Sequence, residues 1–128
     1  MIDNPTFTVT LFSFGFKHSA PEAELVWDVR FLPNPYWVPE LKSGSGLDAD
    51  VAAYVLDAKV TTEFLELFNP LLSFSCAHHA AGKRNELKIG IGCTGGRHRS
   101  VAVVEYLKKN IDCGSCSLHV FHRDIDKK

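Results

Sequence analysis

The stretch Ile89-Gly-Ile-Gly-Cys-Thr-Gly-Gly-Arg-His-Arg-Ser100 decides how this chain reads. Leu87 to Ile91 alternates apolar residues with small or polar ones, the pattern of a strand. Gly92 to Gly96 is a glycine-rich turn, and Val101, Val104 and Leu107 then recur at helical spacing through a helix expected over 99–110. A strand that runs through glycines into a helix is the building unit of a parallel α/β sheet. It aims several backbone N–H groups at one point, where the helix dipole also favours an anion. Gly95 and Gly96 allow close backbone approach or positive φ. Arg97, His98 and Arg99 add side-chain donors, and a guanidinium fork suits phosphate oxygens.

Phe7 to Phe14 mixes β-favouring apolar and hydroxyl residues, ends at Gly15, and reads as a first strand. Leu25-Val-Trp-Asp-Val-Arg30 reads as a second, running into Phe31-Leu-Pro-Asn-Pro-Tyr-Trp-Val-Pro39, where three prolines forbid continued helix or central strand. Ser43-Gly-Ser-Gly46 continues this loop. Leu47, Val51, Tyr54, Val55 and Ala58 predict an amphipathic helix over 47–59. Thr61 or Thr62 is expected to cap the next one, which carries Phe64, Leu65 and Phe68 on one face and is kinked or split at Pro70. Ser117 to His122 is a last strand, with a polar tail from Arg123. The expectation is one α/β domain over 1–128, a largely parallel sheet of about four strands with flanking helices. Ligands of such sheets bind beyond the C-terminal strand ends, where Gly15-Phe-Lys17, Arg30–Pro35 and Cys93–Ser100 all fall.

Composition narrows the class. The 128 residues are 45% apolar, 23% charged and 11% aromatic, an ordinary globular balance for one domain. No apolar run is long enough for a membrane span. The first residues, Met1-Ile2-Asp3-Asn4-Pro5, lack a basic segment followed by an apolar one, and four cysteines without such a signal favour reduced thiols in a cytoplasm. The net charge of −1 conceals an asymmetry, −6 over residues 1–82 and +5 over 83–128. A basic C-terminal third can serve a small anion or a nucleic acid, or simply a solvated face. Lys127 and Lys128 are expected to sit in a mobile terminus, leaving Lys83, Arg84, Lys88, Lys108, Lys109 and Arg123 to form any surface for RNA.

Cys93 gives the turn a second meaning. Cys93-x-x-Gly96-x-x-Arg99-Ser100 has the spacing of a cysteine-phosphatase loop, with a thiolate nucleophile and an arginine on the equatorial oxygens. The residue before it is Gly92 rather than that loop's histidine, and only Asp28 and Asp48 suggest themselves as proton donors. Cys113-Gly-Ser-Cys116 with His119 and His122 imitates a zinc quartet, but a strand sends those histidines to opposite faces and the intervening chain is too short to close a tetrahedron. No metal and no cofactor is expected. His78 and His79 fit a helix end, and Trp27 and Trp37 are read as packing residues.

Ser13-Phe-Gly-Phe-Lys17, Asp28-Val-Arg-Phe-Leu-Pro-Asn-Pro35, Gly46-Leu-Asp48 and Gly92-Cys-Thr-Gly-Gly-x-His-Arg-Ser100 occur in order. Together they resemble the C-terminal domain of the RNase adapter protein RapZ family, from about residue 10 to the tail. Members of that family usually carry an N-terminal kinase-like domain with a Walker loop. No Gly-x-x-x-x-Gly-Lys-Ser/Thr occurs here, so the resemblance makes the chain a stand-alone version or a fragment. It implies sensing of glucosamine-6-phosphate, binding of a small regulatory RNA and of partner proteins, and self-association as a homo-oligomer. By matching positions, it implies a ligand pocket of Lys17, Asp28, Arg30, Asn34, Cys93, Thr94, Gly95, Gly96, His98, Arg99 and Ser100. Asp28 and Asn34 would meet sugar hydroxyls or the ammonium. The chain has Tyr36 where the family often has histidine, and a less basic tail.

Two functions follow for the same loop. The preferred one is a non-enzymatic sensor of a phosphorylated amino sugar or another small anion, adapting to RNA or protein. The alternative is a phosphatase or phosphoryl-transfer enzyme with Cys93 as nucleophile and Arg99 as clamp. RNA binding by an isolated chain is expected to be weak, salt-sensitive and multiplied by oligomerisation.

Overall fold

Residues 7–127 are described by the structure, a computed structural model; the readings of Met1–Pro5 and Lys128 fall outside them. The first strand, β1 (Thr8–Gly15), lies at the centre of the sheet because nearly every residue on both its faces is apolar or small, as a buried parallel strand requires. With β2 (Leu25–Asp28), β3 (Glu86–Cys93) and β4 (Ser117–His122) it forms a four-stranded sheet in the order β2-β3-β1-β4. Every pairing is parallel, with Leu11 opposite Ile89, Gly15 opposite Cys93, Trp27 opposite Ile91 and Ser13 opposite His122. Helices α1 (Ala49–Leu56) and α2 (Lys59–Ala80) fill the crossover from β2 to β3, and α3 (Arg99–Asn110) that from β3 to β4. The chain is thus a single α/β domain of parallel strands with flanking helices, as its sequence reads.

The two faces of the sheet are closed differently. Val9, Leu11, Leu87, Ile89 and Ile91 pack against Val55 of α1, Leu65, Phe68, Leu72 and Cys76 of α2, and Val103, Val104 and Leu107 of α3. The other face is covered by phenylalanines. Phe12 and Phe14 lie over Gly90 and Gly92 so closely that a Cβ at Gly92 would come within 2.5 Å of the Phe14 and Phe16 rings. Phe121 stacks on Phe12 at 5.0 Å between centroids. The alternating glycines of β3 are therefore seats for aromatic rings from β1.

Local expectations are corrected at four places. The helix expected over 47–59 is shorter, Ala49–Leu56, because Asp48 turns its carboxylate back to the Ser45 amide; Leu47 and Tyr54 face outward while Val51 and Val55 are buried. Neither Thr61 nor Thr62 caps α2, which starts at Lys59, and Thr61 is instead wholly buried. Pro70 does not split α2, which runs unbroken to Ala80, with Pro70 on its exposed side. The second strand stops at Asp28 rather than Arg30, because Asp28 accepts the Arg30 amide at 2.9 Å and turns the chain out of the sheet. No described helix is long and apolar enough to cross a membrane.

Candidate functional site

At the C-terminal edge of the sheet, β3 delivers Cys93 and the chain crosses five residues before α3 begins at Arg99. Gly96 has φ of +79°, a left-handed conformation that any side chain would strain. A Cβ there would also meet Gly15 N at 2.6 Å, and one at Gly15 would meet the Gly95 carbonyl carbon at 2.4 Å. The turn thus lies backbone to backbone on the end of β1, fixed by Phe16 N–H to Cys93 O at 2.9 Å and Lys17 N–H to Thr94 O at 3.2 Å. The amides of residues 94–98 donate to no acceptor among the described residues. That is the arrangement in which a turn ahead of a helix receives an anion.

The cleft above this turn has a volume of about 720 Å³. One wall is Cys93, Thr94, Gly95, Arg97, His98 and Arg99, with Lys17 and Lys127 beside them. The other is the proline-rich arm, contributing Asn34, Tyr36, Trp37, Pro39, Lys42 and Ser43. Five cationic side chains line it, and no carboxylate does among the described residues.

The arm is held by the turn's own side chains. Arg99, only 6% exposed, donates to the carbonyls of Arg30 and Leu32 and lies 3.4 Å from Thr94 Oγ1. His98 points Nε2 at the carbonyls of Gly44, at 2.8 Å, and Lys42, at 3.1 Å, so Nε2 carries the proton. Burial, helped by the neighbouring Arg97 and Arg99 charges, lowers the His98 pKa against the pull of those two carbonyls, and the ring is held toward its neutral form. Gly46 N–H closes the arm onto Arg97 O at 2.8 Å. The Nε atoms of both Arg97 and Arg99 are buried without a hydrogen-bond partner among the described residues.

The residues implied from sequence divide into three groups. Lys17, Asn34, Cys93, Thr94, Gly95, His98 and Arg99 come together in the cleft lining. Gly96 and Ser100 stand behind it, Gly96 shaping the turn and Ser100 Oγ lying 3.1 Å from Cys93 Sγ in a buried contact. Asp28 and Arg30 lie outside the lining, paired with each other at 2.7 Å. The Arg30 side chain holds the Asp28 carboxyl below the usual carboxylate range, and its guanidinium rests 4.3 Å over the Phe16 ring.

Asp124, Lys127 and Trp37 carry more than the sequence suggests. Asp124 is completely buried and accepts from Gly15 N–H at 2.8 Å, from the Arg123 guanidinium and from Lys127 Nζ at 2.7 Å. Burial pushes its carboxyl up, but those donors outweigh it and hold the group well below the usual range. Lys127, expected to be mobile, is thereby tethered at the cleft; Trp37, expected to pack, is 76% exposed along its wall. The only sequence signal for Asp124 is an acidic residue just past a strand's C-terminal end.

Other polar clusters lie elsewhere. His122 bridges Ser13 Oγ at 2.7 Å and Glu105 at 2.8 Å, the order of a hydrolase triad, but Ser13 is wholly buried in β1 and none of the three lines the cleft. His78 and His79 bond the carbonyls of Phe74 and Ser75 at the end of α2. The basic residues of the C-terminal third do not share one face. Lys83 and Arg84 precede β3, and Lys108 and Lys109 end α3, at the edge opposite the cleft. An eight-residue strand at about 3.3 Å per residue separates the two poles by roughly 25 Å.

Residues 7–126 match the RapZ C-terminal domain family. Curated relatives described as nucleotide-binding proteins, from Bacillus thuringiensis (strain Al Hakam), Bacillus cytotoxicus and Bacillus mycoides (strain KBAB4), are each 48% identical over 123 residues. The match covers 95% of this chain and 42% of each relative, so the chain spans about two-fifths of their length.

Proposed function

The chain belongs to the RapZ C-terminal domain family, and from that premise we propose that it is a non-enzymatic sensor domain for a phosphorylated amino sugar of the glucosamine-6-phosphate type. The observation that carries this reading is the turn of free amides at the end of β3, with Arg97 and Arg99 beside it. The phosphate would sit on the amides of residues 94–98 and the two guanidinium groups. Asn34 reaches the cleft to meet a sugar hydroxyl. Asp28, at the neighbouring strand end and outside the cleft lining, would have to exchange Arg30 for the ammonium. Calorimetric titration with glucosamine-6-phosphate, glucose-6-phosphate, glucosamine and inorganic phosphate tests it. The expected order puts glucosamine-6-phosphate first; absence of any preference for the phosphorylated sugars overturns the ligand class.

Cys93 supports a second reading, because it is among the residues lining the cleft and its sulfur lies 3.1 Å from Ser100 Oγ. A Cys93 thiolate would attack phosphorus, the ester P–O bond would break, and water would then hydrolyse the phosphocysteine. The departing alkoxide would need a proton, and no carboxylate lines the cleft among the described residues to give one. Comparing wild type with Cys93→Ser on an aryl phosphate separates the readings, since that leaving group needs no acid.

The partners belong to other surfaces. Val60, Leu67, Leu71 and Phe74 form an exposed apolar stripe along α2, the face on which self-association or a partner protein would be built. RNA would meet Lys83, Arg84, Lys108 and Lys109 at the pole away from the cleft. That contact should weaken steeply as salt is raised in a mobility-shift assay.

A further inference from the structure

The proline-rich arm is fastened to the phosphate turn at both ends and carries aromatic rings between them. Arg99 grips it at Arg30 and Leu32, and His98 grips it at Lys42 and Gly44. Between those anchors, Asn34 Oδ1 accepts the Tyr36 amide at 3.1 Å and starts a short 3-10 turn over Pro35–Trp37. The Tyr36 ring stands edge-on to Trp37, 5.0 Å between centroids and 89° between planes. On its own account Tyr36 is overlaid by the Lys42 ammonium at 4.5 Å. Trp37 is therefore braced, yet 76% exposed along the cleft wall that faces the turn. A braced indole left in water across from an anion-binding turn is an unfilled contact surface. The cleft, at about 720 Å³, has room for a ring beyond the phosphate.

We infer that Trp37 is the ring platform of this site, the residue that distinguishes a sugar phosphate from free phosphate by packing against the C–H face of the pyranose. The inference rests on the proposed binding of a phosphorylated sugar and adds the residue that reads its non-phosphate part. A phosphate ion would touch only the turn and be indifferent to Trp37. A sugar phosphate would bridge the turn and the indole, and would exclude water from it.

Titration of wild type, Trp37→Ala and Trp37→Phe with glucosamine-6-phosphate and with inorganic phosphate tests this. Circular dichroism of each variant confirms the fold, which an exposed residue should not disturb. Trp37→Ala is expected to bind the sugar phosphate about three- to tenfold more weakly, the size of one lost aromatic contact, and to bind phosphate as wild type does. Trp37→Phe should recover most of the loss. In a Trp27→Phe background, where Trp37 is the remaining indole, saturation with the sugar phosphate should change the emission and phosphate should not. Unchanged sugar-phosphate affinity in Trp37→Ala, or an equal loss for both compounds, overturns the platform and leaves the binding reading standing. Failure of the wild type to bind either compound overturns both.

Discussion

The carboxylate of Asp124 accepts the amide of Gly15 at 2.8 Å, joining the C-terminal turn to the end of the central strand directly behind the glycine-rich turn. The same carboxylate holds Lys127 at 2.7 Å, so one buried group fixes both the backing of the turn and a cation at the cleft. Asp124→Ala leaves a buried N–H and two cations without their partner. The orphaned buried N–H costs about 1–3 kcal/mol, which urea unfolding would register, while Arg123 and Lys127, whose side chains are 22% and 50% exposed, can turn to water. The depressed pKa fixes the acid behaviour. The carboxylate's contribution is complete above the ordinary carboxyl pKa near 3.8 and is lost only as pH falls through its much lower folded value. Asp124→Asn should therefore differ from wild type most at neutral pH and converge with it in strong acid.

Arg99 connects ligand and scaffold. Its guanidinium faces the cleft while donating to the Arg30 carbonyl, so Arg99→Ala should both weaken the anion and loosen the arm. Loss of a charge-assisted hydrogen bond of about 1.5–3 kcal/mol corresponds to roughly ten- to hundredfold in affinity for the phosphorylated sugar. Arg99→Lys keeps the charge without the fork and should recover only part of it. Calorimetry on the three proteins checks the order, and equal affinities would remove Arg99 from the site.

The sheet and the glycine-rich turn were legible because both depend on local pattern. Alternation in β3, the glycines after it and the helical spacing of Val101, Val104 and Leu107 each speak through neighbours in the chain. What escaped is whatever depends on distant backbone. Asp124 meets Gly15 across 109 residues, and Arg99 meets Arg30 across 69, and neither pairing has a sequence period. Trp37 reads as packing because indoles usually pack; only the anchoring of residues 30–32 and 42–46 leaves it exposed between them. Asp28 reads as a ligand group, but its pairing with Arg30 two residues away is equally local and the structure has it made.

His98 makes stability depend on pH in the weakly acidic range. Burial lowers its pKa from the usual 6.5, so the folded chain resists a proton that the unfolded chain accepts. Its contribution is present above about 6.5 and is lost as pH falls from there through the lower folded value. His98→Gln, whose amide can still donate to the Lys42 and Gly44 carbonyls, should flatten this component. The measurement is the urea midpoint at pH 8 and pH 5.5 for both proteins. A fall of the same size in each would assign the pH dependence to other groups.

Gly46 is where the arm meets the start of α3, and its role is spatial. A Cβ there would lie 2.5 Å from both the His98 carbonyl oxygen and the Ala102 amide nitrogen, backbone atoms that cannot swing aside. Gly46→Ala must therefore shift the arm or the helix, a form of overpacking that costs about 1–3 kcal/mol. The shift also stretches the 2.8 Å bond from Gly46 N–H to Arg97 O, which closes the arm over the cleft. Ligand affinity should consequently fall along with stability, although Gly46 does not line the cleft. Gly82→Ala is the control, because a Cβ there meets nothing nearer than the His79 carbonyl at 3.4 Å. That variant should match wild type or gain slightly by restricting the unfolded chain. Thermal melts and sugar-phosphate titrations of the two variants decide the matter: if Gly46→Ala melts and binds like Gly82→Ala, the arm is not held by this contact.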